Sequence, residues 1–228
     1  MSHLAPGLAA VTYAVRAPLA RWLRAEAEAL AATYPDGYRV LDAGCGKRPY
    51  EALFPHAREY LGVDAESPAA DVQASVDAIP VPDASFDVVL CTQVLEHTHD
   101  PAAAVRELRR VVAPGGRVLA STHGVQVYHP APIDLWRWTH AGLERLFAAN
   151  GQWSSLTVRP GAGVSACLGM LLATYVDLAF RRARLRTAGR GAVAAINAAA
   201  AAVDRRVAAL NEPGPGTVFA NFHVVAVA

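Results

Sequence analysis

Segments that read as strands alternate with segments that read as helices along most of this chain, and the alternation predicts an α/β fold around a mainly parallel sheet. Two further observations support it. Residues 86–91 (FDVVLC) form a nearly unbroken apolar run, as expected of a strand buried on both faces. Residues 40–50 (VLDAGCGKRPY) pass from a short strand into a loop of small residues, where open α/β sheets bring backbone close to a ligand.

Size and composition agree with that class. The chain has 228 residues, enough for one decorated domain, and 53% hydrophobic content is ample for a core. A formal net charge of +1 shows no basic excess, so a nucleic-acid partner is not expected. Cys45, Cys91 and Cys167 are odd in number and form no CxxC, which points to neither a disulfide framework nor a thiolate zinc site. No charged and apolar leader opens the chain, so a cytoplasmic location is expected.

The elements follow in order. Residues 1–37 form a helical segment, with Leu19, Leu23, Ala27 and Leu30 at helical spacing and Pro18 at the expected first helical position. Tyr34-Pro35-Asp36-Gly37 turns the chain into a strand at residues 39–43. After the glycine loop come a helix near residues 50–54, a second strand at 60–63 ending on Asp64, and a weak third strand at 72–76. The buried strand at 86–91 is the fourth. Asp100-Pro101 starts a helix through Val111-Val112, which Pro114-Gly115-Gly116 closes before a fifth strand at 117–121. Thr139 caps a helix presenting Leu143, Leu146 and Phe147 and ending at Asn150-Gly151.

The last third breaks the rhythm. Residues 153–159 and 218–227 alternate like strands, yet about fifty residues separate them. That interval contains VSACLGMLLATYVDLAF, an arginine cluster (Arg181, Arg182, Arg184, Arg186) and the alanine-rich stretch 192–210. A core over residues 38–160, a two-helix insertion over 161–216 and a final strand over 217–228 are expected. The apolar run is interrupted by Asp177 and is short for a membrane span. It should cover the active site or form a homodimer, with peripheral membrane contact as a further alternative.

The glycine loop selects a cofactor class. A phosphate loop needs Gly-Lys followed by Ser or Thr, but Arg48 and Pro49 follow Lys47. A dinucleotide loop needs a third glycine where Pro49 stands. An adenosine-bearing ligand without phosphate needs a close-approach loop, an acid for ribose and a polar contact for adenine. Asp42 to Gly46, then Asp64, then Asp77-Ala78 supply these in order, with Asp71 or Asp83 as alternatives to Asp77.

The motifs LDAGCG, GVD, DAIPVPDASFDVVLCTQVLEH and RVVAPGGRVLAS together resemble class I S-adenosylmethionine-dependent methyltransferases of the type 11 (UbiE-like) group, over roughly residues 38 to 160. The resemblance implies a Rossmann-like, seven-stranded sheet in the order 3-2-1-4-5-7-6, with strand seven antiparallel. It implies S-adenosyl-L-methionine as cofactor and S-adenosyl-L-homocysteine as product. Asp42, Gly44, Cys45 and Gly46 would face the methionine part, Asp64 and Ala65 the ribose, Asp77 and Ala78 the adenine, and Thr92 and Gln93 the sulfonium. GCGKRPYEALFP and YHPAPIDLWRWT are similar to bacterial members tied to small-molecule or surface-glycan pathways, which implies a small-molecule acceptor; methylation at oxygen is the leading expectation, with nitrogen and carbon as alternatives. The alternatives are an enzyme that binds this cofactor without transferring methyl, as a cyclase would, and a non-catalytic partner subunit.

Methyl transfer from a sulfonium relies largely on positioning, and a hydroxyl acceptor also needs its proton removed. His123, at the end of strand five, and His97, after strand four, are the candidate catalytic groups. His129, Asp134, Trp136 and Trp138 lie in an aromatic, proline-stiffened connection suited to a substrate pocket. No histidine spacing matches a metal ligand set.

Overall fold

The computed structural model describes residues 4–130 and 132–228; Ala131, in the aromatic connection, and the first three residues of the N-terminal segment lie outside them. Seven strands, β1 (Tyr38–Ala43), β2 (Ala57–Asp64), β3 (Val72–Gln73), β4 (Phe86–Thr92), β5 (Val112–His123), β6 (Ser155–Pro160) and β7 (Asn221–Val227), form one sheet in the order 3-2-1-4-5-7-6. The pairings from β3 to β5 are parallel, and β7 runs antiparallel to both β5 and β6. This is the topology that the motifs imply.

The sheet is covered on both faces. Leu41, Val89, Cys91, Val118 and Ala120 point to the face carrying α2 (Pro101–Val111) and α3 (His140–Asn150). Their sequence neighbours Val40, Val88, Leu90 and Leu119 point to the other face, under α1 (Tyr13–Thr33). Two-sided burial is why 86–91 reads as an unbroken apolar run. Both expected caps form: Asp100 accepts from Ala103 N–H (2.9 Å) and Thr139 Oγ1 from Gly142 N–H (3.1 Å).

Several boundaries differ from expectation, each for a physical reason. The segment after the glycine loop makes a single 3₁₀ turn, Glu51–Leu53, in place of a crossover helix. Pro49 and Pro55 bracket it, leaving too few residues to nucleate an α-helix. The face left bare is covered by α1, whose Leu19, Leu23 and Leu30 pack with Tyr50, Phe54 and Val40. Pro18 is not the first helical residue: α1 begins at Tyr13, and the additional turn carries Thr12, Val15 and Arg16 toward the ligand edge of the sheet. The third strand shrinks to two residues at the sheet edge. Pro114-Gly115-Gly116 lies inside the assigned span of β5, where Gly115 takes φ +75° and the pairing with β4 shifts register. Between β6 and β7 stand α4 (Val164–Arg182) and α5 (Arg186–Arg206), followed by a 3₁₀ turn at Ala208–Asn211.

Candidate active site

A cleft of about 990 Å³ runs along the carboxyl ends of the parallel strands. Its first wall is the glycine loop, which β2 holds. Gly44 and Cys45 N–H both donate to the Val63 carbonyl (2.7 and 3.0 Å), and Gly46 N–H donates to Asp64 Oδ2 (2.9 Å). Gly44 and Gly46 take φ +78° and +53°, which a glycine adopts without steric penalty. Their reasons differ. A Cβ on Gly44 would sit 2.3 Å from Val94 Cγ2, so this glycine lets the loop pack beneath the exit of β4. A Cβ on Gly46 would meet open space, so there the need is conformational. Arg48 follows with φ +54° and is held by Asp71 (2.7 Å), Glu51 (3.0 Å) and the Tyr60 carbonyl (3.0 Å).

Asp64 lines the cleft, but it is already heavily used. Oδ1 accepts from Glu66 and Ser67 N–H (2.9 and 2.8 Å) while Oδ2 accepts from Gly46. A carboxylate offers about four acceptor positions, so roughly one remains, on Oδ2, for a ribose hydroxyl. Asp64 thus clamps the glycine loop as well as facing the cleft. Asp42 stands behind the loop and does not line the cleft. It is buried, its Oδ2 accepts from Tyr60 O–H (2.7 Å), its Oδ1 has no partner, and burial pushes its carboxyl up to about 6.

Cys45, Ala65, Asp77, Thr92 and Gln93 all line the cleft, as do Ser75 and Val76. Ala78 does not; its N–H donates to Ser75 O (3.1 Å) and closes the turn that presents Asp77. The alternatives to Asp77 are engaged elsewhere, Asp71 with Arg48 and Gly62 N–H and Asp83 with Arg110. Gln93 sits in the left-handed region at φ +58°, with its amide Nε2 donating to Ser121 Oγ (3.0 Å) and Asn221 Oδ1 (2.9 Å). These bonds tie the exit of β4 to β5 and β7. All three cysteines are buried and free, and burial pushes the Cys45 thiol up to about 12.

The other end of the cleft carries His97, His123 and His129, with ring centroids 5.8–6.5 Å apart. His97 Nδ1–H donates to the Ile133 carbonyl, which leaves Nε2 as the acceptor of the neutral ring. His123 is only 6% exposed, its Nδ1 is buried without a partner, and burial lowers it to about 3. Its Nε2 lies 3.2 Å from Glu96 Oε1, out of line for a hydrogen bond. Glu96 is fully buried beneath the cluster; Oε2 accepts from Thr122 O–H (2.8 Å), and burial raises its carboxyl to about 7. Among the described residues no group of three or more His, Cys, Asp or Glu is arranged to hold a metal ion.

The aromatic connection divides. His129 reaches the cleft, together with Pro132 and Ile133. Asp134, Trp136 and Trp138, expected to border substrate, are not on its wall. Asp134 pairs with Arg137 and accepts from His129 N–H (2.7 Å), so the loop uses this carboxylate to brace itself; the Arg137 guanidinium holds it well below the usual carboxylate range. Trp136 donates to Thr98 O (2.8 Å) and stacks on Trp138, which packs on the core. Stacking turns one face of each ring toward the other. Sequence reasoning missed Thr12, Val15 and Arg16 on the cleft wall, because nothing local says that α1 extends before Pro18. It also passed over Gln126 and the burial of Glu96 beneath the histidines, four residues beyond the end of β4.

The cleft has the features expected of an adenosyl-cofactor site: a bare glycine backbone, an acid with residual acceptor capacity, and a second acid one strand further. Residues 14–154 match the family model described as a methyltransferase domain. A protein of Mycolicibacterium smegmatis named a probable S-adenosylmethionine-dependent methyltransferase is 38% identical over 106 residues, covering 41% of this chain and 41% of that protein. A ubiquinone biosynthesis O-methyltransferase of Alkalilimnicola ehrlichii is 35% identical over 104 residues, covering 38% of this chain and 42% of that protein. The matched region thus spans about two fifths of the length of these curated relatives. Among solved structures, the 1,6-didemethyltoxoflavin-N1-methyltransferase of Burkholderia thailandensis, with its substrate and S-adenosylhomocysteine bound, has the same fold: TM-score 0.52 at 16% identity, over 90% of this chain and 77% of that one. The chain belongs to the methyltransferase-domain family, among the class I S-adenosylmethionine-dependent methyltransferases.

Proposed function

We propose that the protein transfers a methyl group from S-adenosyl-L-methionine to a hydroxyl oxygen of a small molecule, in a bacterial biosynthetic pathway for a natural product or surface glycan. The carrying observation is one cleft with two unlike ends, a glycine–acid end and a histidine end. Its volume of about 990 Å³ lies at the top of the range of ~300–1,000 Å³ usual for small-molecule sites, which supports room for cofactor and acceptor together. The O-methyltransferase relative supports oxygen as the acceptor atom. The pathway reading rests on the similarity of residues 44–55 and 128–139 to bacterial small-molecule and glycan enzymes.

When bound, S-adenosyl-L-methionine supplies a methyl group on a positively charged sulfur. Asp64 Oδ2 offers its remaining acceptor position to the ribose, and Asp77 stands one strand further along for the adenine. Gly44 to Gly46 present bare backbone, with Thr92 and Gln93 on the adjoining wall. The acceptor hydroxyl gives its proton to His97 Nε2, the acceptor nitrogen left by the bond to Ile133. His123, expected from the sequence to be the base, is better suited to support. A ring lowered to about 3 is a weak base, and burial leaves it little contact with a ligand. With Glu96, it forms the buried floor that places His97 and His129.

The test incubates the purified protein with methyl-labelled S-adenosyl-L-methionine and a panel of phenols and hydroxylated sugars. A product heavier by one methyl group, with label on oxygen, is the expected result. Cofactor binding without label in any product would overturn methyl transfer to this class, and label on nitrogen or carbon would overturn the acceptor assignment.

A further inference from the structure

We propose that the hairpin of α4 and α5 docks the protein on the surface of an anionic lipid bilayer. α4 has two opposed apolar strips. Ala166, Cys167, Met170 and Ala173 are buried, and the first three pack with Ala14 and Val15 of α1 and with Ala220. On the opposite side Leu168, Leu172, Tyr175 and Leu178 are exposed, with Leu172 at 56% and Tyr175 at 65%. Their spacing of four, three and three residues places them along one face, next to water. The strip continues at the tip between the helices, where Leu185 is also 56% exposed.

Charge says what covers this face. Arg181, Arg182, Arg184, Arg186 and Arg190 crowd the tip, and no acidic residue occurs between Leu178 and Val203. The nearby Asp177 is already bound to Arg181 (2.7 Å). Because the whole chain carries only +1, the remainder is net negative and the hairpin is a basic pole. A second copy seated on the same face would bring no free carboxylate to this cluster, whereas an anionic bilayer brings many. Leucine and tyrosine beside arginine is the composition of a helix lying in a lipid interface.

α4 has the length and hydropathy of a spanning helix, but a span would strip its buried strip from α1 and place the Asp177–Arg181 pair in hydrocarbon. It therefore lies on the surface. α4 and α5 pack chiefly on each other and meet the body mainly through α1, so the tip, exposed almost without interruption from Leu178 to Ala188, is free to reach a membrane. Gln126, on the cleft wall, lies 3.6 Å from Met170 Sδ on the inner strip, so a docked hairpin stands beside the cleft mouth.

The experiment sediments the full-length protein with large vesicles of phosphatidylcholine alone or mixed with phosphatidylglycerol. Binding to the mixed vesicles only, weakened at high salt, is expected. Each basic residue near such a surface is worth roughly fivefold in partition, so replacing Arg182, Arg184 and Arg186 by Glu should lower binding at least tenfold. Leu172→Glu should lower it severalfold, by losing an apolar contact and by adding a negative charge to the docking face. Both variants should keep the helical circular dichroism and S-adenosylhomocysteine affinity of the parent. Equal binding to both vesicle types, or none to either, overturns the proposal. So does a stable dimer, seen by light scattering, that Leu172→Glu dissociates.

Discussion

The two ends of the cleft are built from different materials. Where β1, β2 and β3 end, the wall is mostly backbone: glycines at positive φ and an aspartate whose oxygens collect N–H groups within a few residues of a strand end. Beyond β4 and β5 the wall is side chains, with His97 anchored by Ile133 and His123 set against Glu96 across sequence distances of 36 and 27 residues. A backbone site needs only a strand, a glycine and an acid in order, so local motifs describe it. A side-chain site exists only once separate loops have packed.

The largest effect should come from the backbone end. Asp64→Ala removes a carboxylate that lines the cleft, is proposed to take a ribose hydroxyl and holds Gly46, and hydrogen bonds to a charged group are each worth about 1.5–3 kcal/mol. Calorimetry with S-adenosylhomocysteine should show affinity reduced between about tenfold and a few hundredfold. Unchanged affinity in a folded variant would break the description of this end as the cofactor end.

At the other end, His97→Ala should lower turnover at least about tenfold and leave S-adenosylhomocysteine affinity within about twofold. Equal losses in turnover and affinity would erase the division between the ends. Steady-state rates beside calorimetry read the two quantities separately.

A smaller effect sharpens the role of the buried floor. Burial raises Glu96 to about 7 from an ordinary 4.5, so the folded state holds this proton more tightly than the unfolded chain does. Its contribution to stability is therefore complete below about pH 4.5 and is lost as pH rises through about 7. Gln mimics the protonated acid. Glu96→Gln should raise Tm by several degrees more at pH 8 than at pH 5, an effect of about 2–3 kcal/mol at most. Scanning calorimetry at the two pH values checks it; the same difference at both would mean that Glu96 does not titrate in this window.

The smallest change in rate belongs to Trp136. Its ring is committed to Trp138 and to the Thr98 carbonyl, so Trp136→Ala should alter turnover less than about twofold while costing about 1–3 kcal/mol of stability. A tenfold loss of rate with intact stability would place the Trp136 ring on the substrate wall.

Much of the fold was legible because its signals are periodic or local. Val88, Val89 and Leu90 announce a strand buried on both faces, and Asp100-Pro101 and Thr139 mark helix starts that form where expected. The site was legible in proportion to its backbone content. Gly44, Gly46, Asp64 and Asp77 line the cleft, whereas Asp42 turns away to Tyr60 and Asp134 to Arg137. A carboxylate's type and position say that it needs a partner but not which of several neighbours will provide it.

By itself, the sequence determined a mainly parallel α/β sheet from its alternating elements, and a phosphate-free adenosyl ligand at the carboxyl ends of the strands from its glycines and acids, because each follows from steric or hydrogen-bonding needs within a few residues. The strand order came only with the resemblance of its motifs. Only the tertiary structure decided that α1 would cover the face left bare by the lost crossover helix and extend Thr12, Val15 and Arg16 to the cleft. It also decided that His123 would be sealed against Glu96 while His97 kept an acceptor nitrogen. The physical reason is that burial and pairing depend on neighbours brought from far along the chain, and a side chain's chemistry is set by what surrounds it.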